Sequence, residues 1–298
     1  QAYADTDNLR IGEYTKSRNI SRSQIFEAYA DFKDTWGIHS LNALAGYSWQ
    51  NNFFSNRSIT YYNETNLPNL NPGETVDSRY LTFRNENYLV SFYGRINYSI
   101  DSRYVFTFTA RADGSSKFAK DYRWGFFPSG AFAWNIAREP FMKKAPYVST
   151  MKLRLSVGMT GQQDGIGDYV HLARYVKSND PYHTYDMGQA EYMNMLTPQA
   201  YDPTIRWETT LTYNVGIDYG FFKDRLSGSI DAYIRDTRDL LNSVQVPMGS
   251  NFGNKLMTNI GSIRNMGLEF SISGIPVQTN DWSVQIGFNG TFQDTEFT

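Results

Sequence analysis

The three histidines of this sequence are the residues best suited to acid–base chemistry. They are His39, His171 and His183, and the chain has no cysteine that could act as a nucleophile or a thiolate ligand. His171 lies three residues after Asp168, a spacing that allows the base–carboxylate pair of a hydrolase. A histidine in a surface loop more often has no chemical role, so hydrolysis is kept as a minor alternative.

Acidic residues between the predicted strands offer oxygen ligands for a divalent cation. They are Asp113, Asp164, Asp168 and Asp202, and none has the spacing of a known calcium loop. The segment GQQDGIGDY, residues 161–169, contains three glycines but lacks the Lys-Ser/Thr pair of a phosphate-binding loop. We therefore predict no metal and no other cofactor, and a calcium ion in the loops has no support.

Charged residues also occur inside segments of strict alternation. In NYLVSFYGRINYSI, residues 87–100, Phe92 and Ile96 alternate with Ser91, Arg95 and Asn97. A period of two indicates a β-strand with one apolar face and one polar, solvated face, here called the wet face. Seven charges fall on wet faces, where we expect them to pair with one another, line a substrate path or contact another domain: Arg95, Arg111, Arg154, Asp218, Asp231, Arg235 and Glu269.

The alternation predicts about ten strands, each near the 9–11 residues that a tilted membrane strand needs. They lie near residues 20–32, 36–50, 87–100, 104–111, 124–136, 152–159, 210–219, 225–238, 266–273 and 282–292. Tight links are predicted at 33–35, 101–102, 222–224 and 278–280, with a longer one, helical in part, at 138–149. Long loops are predicted at 51–86, 113–123, 161–204 and 239–262.

This pattern predicts an all-β fold, an antiparallel transmembrane barrel with short periplasmic turns and long extracellular loops. A soluble antiparallel sandwich also alternates. Tyrosine and tryptophan at the strand ends, such as Tyr88, Tyr104, Trp124 and Trp282, favour the barrel, because aromatic belts form where strands meet lipid headgroups.

Composition limits the possible partners. The chain has 28 basic and 30 acidic residues, which gives no basic surface for nucleic acid. Aromatic residues make up 16% of the chain although its mean hydropathy is −0.51. The first residues carry no signal-peptide pattern. The balance suits a protein that contacts membrane lipid with one side of its strands only.

Four blocks carry a resemblance to a known family. They are RADGSSKFAKDYRWGFFPSGAFAWNIAREPFM, MKLRLSVGMTGQQDGIGDY, IRWETTLTYNVGIDYGFFKDRLSGSIDAYIRDTRDLL and NIGSIRNMGLEFSISG. In this order they resemble the β-barrel of the SusC/RagA-like TonB-dependent transporters, over residues 87–291. The resemblance implies that residues 1–298 are part of a 22-stranded barrel and that the plug and the TonB-contacting segment are not in this chain.

The same resemblance implies a function. It predicts outer-membrane import of an oligosaccharide or peptide, energised through TonB and assisted by a SusD-like surface lipoprotein, with no enzymatic role. Eight aromatic residues in predicted loops are candidates for contact with the substrate or the lipoprotein: Phe53, Phe54, Tyr61, Tyr62, Tyr169, Tyr175, Tyr182 and Tyr185. The alternatives are a complete ten-stranded outer-membrane protease and a passive diffusion porin.

Overall fold

A computed structural model describes residues 10–64, 77–177, 184–186, 192–194, 196–247 and 255–298. The chain divides into two compact units, one of Gln1–Phe26 and Trp49–Tyr88, the other of Glu27–Ser48 and Leu89–Thr298. Apart from short 3-10 helices, the regular structure of the described ranges is β-strand. No helix in these ranges is long and apolar enough to span a bilayer.

The strands are numbered in chain order. They are β1 Arg10–Trp36, β2 His39–Glu64, β3 Asp77–Ile100, β4 Tyr104–Ser115, β5 Trp124–Asn135, β6 Val148–Gln162, β7 Tyr175–Lys177, β8 Thr184–Asp186, β9 Tyr192–Asn194, β10 Leu196–Pro198, β11 Glu208–Phe221, β12 Leu226–Arg238, β13 Leu241–Gln245, β14 Lys255–Asn259, β15 Ser262–Gln278 and β16 Ser283–Phe297. The 3-10 helices are Lys120–Tyr122, Ile136–Arg138 and Pro140–Lys144.

Ten of these strands form one sheet, which confirms the predicted fold class. Its order is β1-β2-β3-β4-β5-β6-β11-β12-β15-β16, so each strand lies beside the next long strand of the chain. The registers from β3 to β16 are antiparallel. β1 and β16 stand at opposite ends of this order, and no pairing joins them in the described residues. A complete ten-stranded barrel requires that pairing.

Short connections all join the same ends of the strands. Asp101 and Ser102 have φ values of 51° and 52°, and Arg103 N donates to Ile100 O at 2.9 Å, which is a type I′ turn. The link between β11 and β12 contains three successive residues with positive φ, Phe222–Asp224. Both were predicted as tight links. The link between β5 and β6 is helical as predicted, with Pro140 at the start of its second 3-10 helix.

Two boundaries in the first hairpins were predicted wrongly. The turn expected at 33–35 lies at Gly37–Ile38, because Gly37 supplies the positive φ of 58° that the reversal needs. The loop expected at 51–86 is mostly strand, since β2 continues to Glu64 and β3 begins at Asp77. Asparagine and serine side chains of this region form hydrogen bonds between strands, such as Asn52 Nδ2 to Asn87 Oδ1 at 3.1 Å.

Two aromatic belts delimit an apolar band on one face of β4 and β5. Tyr104 stacks on Trp134 with ring centroids 6.4 Å apart, and Phe92 stacks on Trp124 at 6.1 Å. Trp134 and Trp124 pair in register with Tyr104 and Gly114, ten residues apart along β4. At about 3.3 Å per residue and a tilt of about 40°, this separation spans about 25 Å, the height of the apolar band of an outer-membrane barrel.

Strand register separates an apolar face from a polar face. On the apolar face Phe106 pairs with Phe132 and its ring centroid lies 5.0 Å from that of Phe132. The next positions, Thr107 and Ala131, pair on the opposite face. The predicted apolar positions are largely uncovered, with Phe108 59% and Ile286 63% exposed. Such exposure of large apolar side chains is expected where lipid is the solvent.

Side-chain packing is concentrated at the ends of the strands that carry the long connections. A buried cluster forms there from Phe118, Phe127, Ile166, Ile205 and Trp207. Four of these five residues come from the connections and only Phe127 from a strand, β5. The long connections therefore pack against one another over the sheet end.

Cysteine labelling can test the sidedness of the chain, since it contains no cysteine. Lys120 lies exposed in a long connection, and Asn280 lies exposed in the short connection between β15 and β16. We expect an impermeant maleimide applied to intact cells to label Lys120→Cys and to leave Asn280→Cys unlabelled until the outer membrane is opened. The reverse pattern would invert the topology.

Candidate functional site

Arg154 is the centre of a charge network on the polar face. Its Nε lies 3.0 Å from each carboxylate oxygen of Asp218, and its Nη2 lies 2.7 Å from Asp218 Oδ1. The same Nη2 donates to Asp231 Oδ2 at 2.9 Å. Because a guanidinium is planar and presents several donors, one arginine on β6 binds carboxylates of β11 and β12 together.

Gly216 makes room for this network. It pairs in register with Arg154 on one side and with Asp231 on the other. A Cβ at Gly216 would contact Asp231 Oδ1 and would lie 2.8 Å from Arg154 Nη2. The absence of a side chain therefore lets the guanidinium cross β11 to reach β12.

A further carboxylate, Glu269, extends the row onto β15. It is the cross-strand partner of Asp231 and is exposed, and it forms no ion pair in the described residues. Lys152 pairs in register with Asp218 at the other side of the network. Three carboxylates and two cations thus lie close together. The carboxylates outnumber the cations, so hydrogen-bond acceptors remain for hydroxyl or amide N–H groups of a molecule that enters from solvent.

Two further arginines on the polar face lie over tyrosine rings. Arg111 Nε binds both oxygens of Asp113 at 2.7 and 2.8 Å, and its guanidinium carbon lies 5.7 Å from the Tyr93 ring centroid. The Arg235 guanidinium carbon lies 4.4 Å from the Tyr233 ring centroid, and Tyr233 is 6% exposed. Arg235 is held by stacking on its ring, whereas Arg111 is held by its ion pair with Asp113 and lies over the Tyr93 ring as well.

Each of these rings covers a glycine of the neighbouring strand. A Cβ at Gly46 would meet the Tyr93 ring, and a Cβ at Gly267 would lie 2.5 Å from Tyr233 Cζ. Glycine therefore lets each ring lie flat on the sheet, which in turn supports the arginine above it.

All seven predicted wet-face charges share the polar face. Arg95 on β3 pairs in register with Thr109 of β4, and Thr109 is on the same face of β4 as Arg111. The positions of the other six charges on this face are those described above. Alternation alone was enough to place them. Their contact with a substrate path stays a prediction.

The long connections are fixed to one another by hydrogen bonds around the buried cluster. Trp207 Nε1 donates to Arg123 O at 2.9 Å. Asn259 Nδ2 donates to Arg206 O at 2.9 Å, and Arg206 N donates to Asn259 Oδ1 at 2.8 Å. These bonds join the connections that follow β4, β6 and β12.

Asp202 is one of the acidic residues considered for calcium, and its oxygens are engaged by hydroxyl and amide donors. Oδ1 accepts from Thr204 N at 2.8 Å and from Thr204 Oγ1 at 2.7 Å, and Oδ2 accepts from Thr258 Oγ1 at 2.5 Å. Burial raises the pKa of Asp202, and these hydrogen bonds together outweigh burial and hold it below its usual value. Asp113 is bound to Arg111. The described residues contain no group of three or more potential metal ligands.

The histidines have other partners than a catalytic carboxylate. His171 Nδ1 lies 2.9 Å from Lys117 O, so Nδ1 carries the proton and joins two connections. The His39 ring is stacked near Trp36 and Tyr98, and its Nδ1 lies 2.7 Å from Tyr98 Oη. His183 lies outside the described residues. The hydrolase interpretation thus gains no geometric support.

The predicted loop aromatics occupy several different environments. Phe53 and Phe54 lie within β2 and not in a loop, a correction that follows from the length of that strand. Tyr175 is 67% exposed at the start of β7, and Tyr169 is half-buried with φ at 64°. The structure describes the backbone but not the side chains of Tyr61, Tyr62 and Tyr185. Tyr182 lies outside the described residues. Their contact with a substrate or partner stays a prediction.

Sequence reasoning did not single out Glu139, which organises the link between β5 and β6. Its carboxylate accepts hydrogen bonds from Tyr104 Oη at 2.6 Å, Trp134 Nε1 at 3.0 Å and Arg103 Nη1 at 3.1 Å. The Tyr104 and Trp134 hydrogen bonds hold the pKa of Glu139 below its usual value, with Arg103 adding to them against the effect of burial. One carboxylate thus orients the aromatic pair at the end of the band.

This depressed pKa predicts a pH dependence of stability. A carboxylate whose pKa is lower when folded stabilises the fold above its unfolded pKa, near 4.5, and loses that contribution as the pH falls through the folded value. We expect Glu139→Gln to lower the melting temperature at pH 7 and the difference to shrink in acid. The measurement is thermal unfolding of both proteins at several pH values, and a pH-independent difference would contradict the assignment.

Comparison with protein families identifies the fold. Residues 1–298, the whole chain, match the family model of the TonB dependent receptor-like β-barrel. The chain belongs to this family. Its barrels lie in the outer membrane, so the long strands described above are outer-membrane strands.

Relatives of this TonB-dependent barrel confirm the resemblance to SusC and RagA. The TonB-dependent receptor SusC of Bacteroides thetaiotaomicron is 46% identical over 216 residues, which cover 72% of this chain and 21% of SusC. The TonB-dependent receptor P39 of Formosa agariphila is 34% identical over 306 residues, covering 98% of this chain and 28% of that protein. A structure of the RagAB peptide transporter is 26% identical with a TM-score of 0.82, covering 96% of this chain and 31% of that one. The chain spans less than a third of the length of these relatives.

Proposed function

We propose that the transporter containing this chain imports a large nutrient across the outer membrane, using energy delivered through TonB. The observation that carries the proposal is the match to SusC, at 46% identity over most of the chain. The substrate is an oligosaccharide or a peptide, captured with a SusD-like surface lipoprotein. RagAB is described as a peptide transporter. A peptide is therefore one candidate for the substrate of this transporter.

The polar face supplies chemistry suited to either substrate. Glu269 offers a free acceptor beside the Arg154 network, and Arg111 and Arg235 offer donors. The Tyr93 ring, which is half-buried, adds flat apolar area beside Arg111. Sugar hydroxyls and peptide amides both require donors and acceptors at close spacing, so the face does not select one class by itself.

The packed connections support a role at the outer surface. Long connections are usually either functional or disordered, and these contain short pairs of strands, β7 with β10, β8 with β9 and β13 with β14. Here they share a buried cluster around Trp207, which gives a substrate or a lipoprotein a pre-formed surface to bind. A preformed surface reduces the ordering cost of binding.

Uptake measurements in cells test the proposal. Labelled oligosaccharides and labelled peptides are offered to cells with and without the transporter, before and after a protonophore collapses the proton-motive force. We expect one class to enter only when both the transporter and the proton-motive force are present. Transporter-dependent uptake that survives the protonophore would indicate a passive pore, and hydrolysis of the label without entry would indicate an enzyme.

A further inference from the structure

One compact unit contains a sheet segment whose two faces differ in charge. The segment consists of residues 15–26 of β1, 49–59 of β2 and 82–88 of β3. On one face Ser17 Oγ lies 3.1 Å from Ser58 Oγ, and Ser23 Oγ donates to Asn52 Oδ1 at 2.8 Å. Every described side chain of this face is uncharged, and we call it the neutral face.

The opposite face, here called the cationic face, carries all the charge of the segment. Its five cations are Lys16, Arg18, Arg22, Arg57 and Arg84, and all are exposed. One carboxylate, Glu86, lies among them, so the described side chains of this face have a net charge of +4. The separation is complete in this segment, whereas the polar face of the other unit mixes both signs.

Phe53 places two of the arginines side by side. The guanidinium carbon of Arg22 lies 5.2 Å from the Phe53 ring centroid, and that of Arg84 lies 5.0 Å from it. Since neighbouring strands are about 4.8 Å apart, the two arginines approach this ring of β2 from β1 and β3. Stacking on the ring holds both cations without neutralising them.

Acidic partners are scarce on this face. Arg84 Nη2 lies 3.4 Å from Glu86 Oε2, a long and exposed ion pair that contributes little. Lys16 and Arg18 form no hydrogen bond or ion pair in the described residues, and Arg22 has no carboxylate partner there. Among the described side chains of this face, Glu86 is the one carboxylate beside five cations, so the face keeps a net positive charge.

Two aromatic residues relate the cationic face to the membrane surface. Trp49 and Tyr88 lie on this face with ring centroids 6.2 Å apart, and tryptophan and tyrosine are enriched at the headgroup level of membrane proteins. Tyr88 is also where the apolar alternation of β3 begins in the sequence. Arg84 lies four residues beyond Tyr88, about 13 Å along the strand, which at a tilt of about 40° is about 10 Å along the membrane normal. This height is at the outer side of the headgroup region, within reach of a long guanidinium side chain.

We propose that the cationic face binds the phosphate groups of phosphorylated glycolipid in the outer leaflet that surrounds the barrel. Arg22 and Arg84, held on Phe53, supply the first contacts, because guanidinium binds phosphate through paired hydrogen bonds. Lys16, Arg18 and Arg57 continue the same face along the strands away from the aromatic pair. This site concerns lipid and does not depend on what the transporter imports.

The test compares lipid binding by matched charge variants of the full-length transporter. The purified protein in detergent is titrated with bisphosphorylated lipid A and with the same lipid after phosphatase treatment. One variant is Arg22→Gln with Arg84→Gln, and the control is Lys143→Gln with Lys144→Gln, which removes the same charge from the 3-10 helix at the short-connection end. Heat-modified gel mobility reports whether each barrel is folded.

We expect the Arg22/Arg84 variant to bind bisphosphorylated lipid A about 30-fold more weakly, since each cation near an anionic surface contributes about a factor of five. The Lys143/Lys144 control should bind as the wild type does, and the dephosphorylated lipid should bind weakly to all. Equal binding of both lipids, or an unchanged Arg22/Arg84 variant, would overturn the proposal. Displacement of the lipid by equimolar inorganic phosphate, or loss of a co-purifying lipoprotein with lipid binding intact, would assign the face to free phosphate or to protein instead.

Discussion

Replacing Phe108 with arginine is expected to lower the free energy of unfolding by about 2–4 kcal/mol, the cost of a guanidinium on the lipid face at mid-membrane. Phe108 is 59% exposed and lies on the apolar face of β4. It stands between the register positions of Trp134 and Trp124, which mark the two belts. An arginine there has the longest path to either headgroup region, so it cannot reach water without distorting the bilayer.

The neighbouring residue provides a matched control. Thr107 lies on the opposite face, where its Oγ1 donates to Asn97 Oδ1 at 2.8 Å. Thr107→Arg therefore places the same group among polar side chains and should cost much less. Urea unfolding of the refolded full-length barrel in lipid vesicles measures both variants. Equal destabilisation at the two positions would contradict the assignment of the faces.

The faces and the number of long strands could be predicted because both depend on local alternation. Each of the ten predicted strands has a counterpart in the main sheet, and residues such as Phe108 and Arg154 fall on the expected sides. A period of two requires only that neighbouring side chains meet different solvents. Lipid on one side imposes that difference along each membrane strand.

The lengths of β2 and β3 could not be predicted from the same signal. Beyond the hydrocarbon band no apolar solvent imposes an alternation of apolar and polar residues, and the strands continue through hydrogen bonds among asparagine and serine, as between Asn52 and Asn87. Those residue types are also common in loops. Phe53 and Phe54 were predicted to lie in a loop, and the structure places them in β2.

The partners of individual charges also required the structure. Alternation shows that Arg154, Asp218 and Asp231 share a face, but not that one guanidinium binds both carboxylates. That depends on register between β6, β11 and β12 and on the space left by Gly216. The role of Glu139 was missed for a similar reason. Its three hydrogen-bond donors lie at the start of β4, near the end of β5 and in the turn before β4, and only the pairing of these strands brings them to one carboxylate.

Removing the Arg154 guanidinium is expected to have the other large effect. Arg154→Leu leaves Asp218 and Asp231 on neighbouring strands without the cation that joins them. Breaking a buried pair costs about 3–5 kcal/mol. The Arg154 side chain is 32% exposed and water screens part of the interaction, so we expect about 1–3 kcal/mol here.

Two companion variants separate charge from geometry. Arg154→Lys keeps the charge but cannot bind both carboxylates through a planar fork, so it should recover only part of the loss. Arg154→Leu combined with Asp218→Asn and Asp231→Asn removes the uncompensated carboxylates and should be more stable than Arg154→Leu alone. Urea unfolding at pH 7 ranks the four proteins. If the triple variant is no more stable than Arg154→Leu, the loss comes from packing of the arginine side chain, and the charge network is not what joins β6 to β11 and β12.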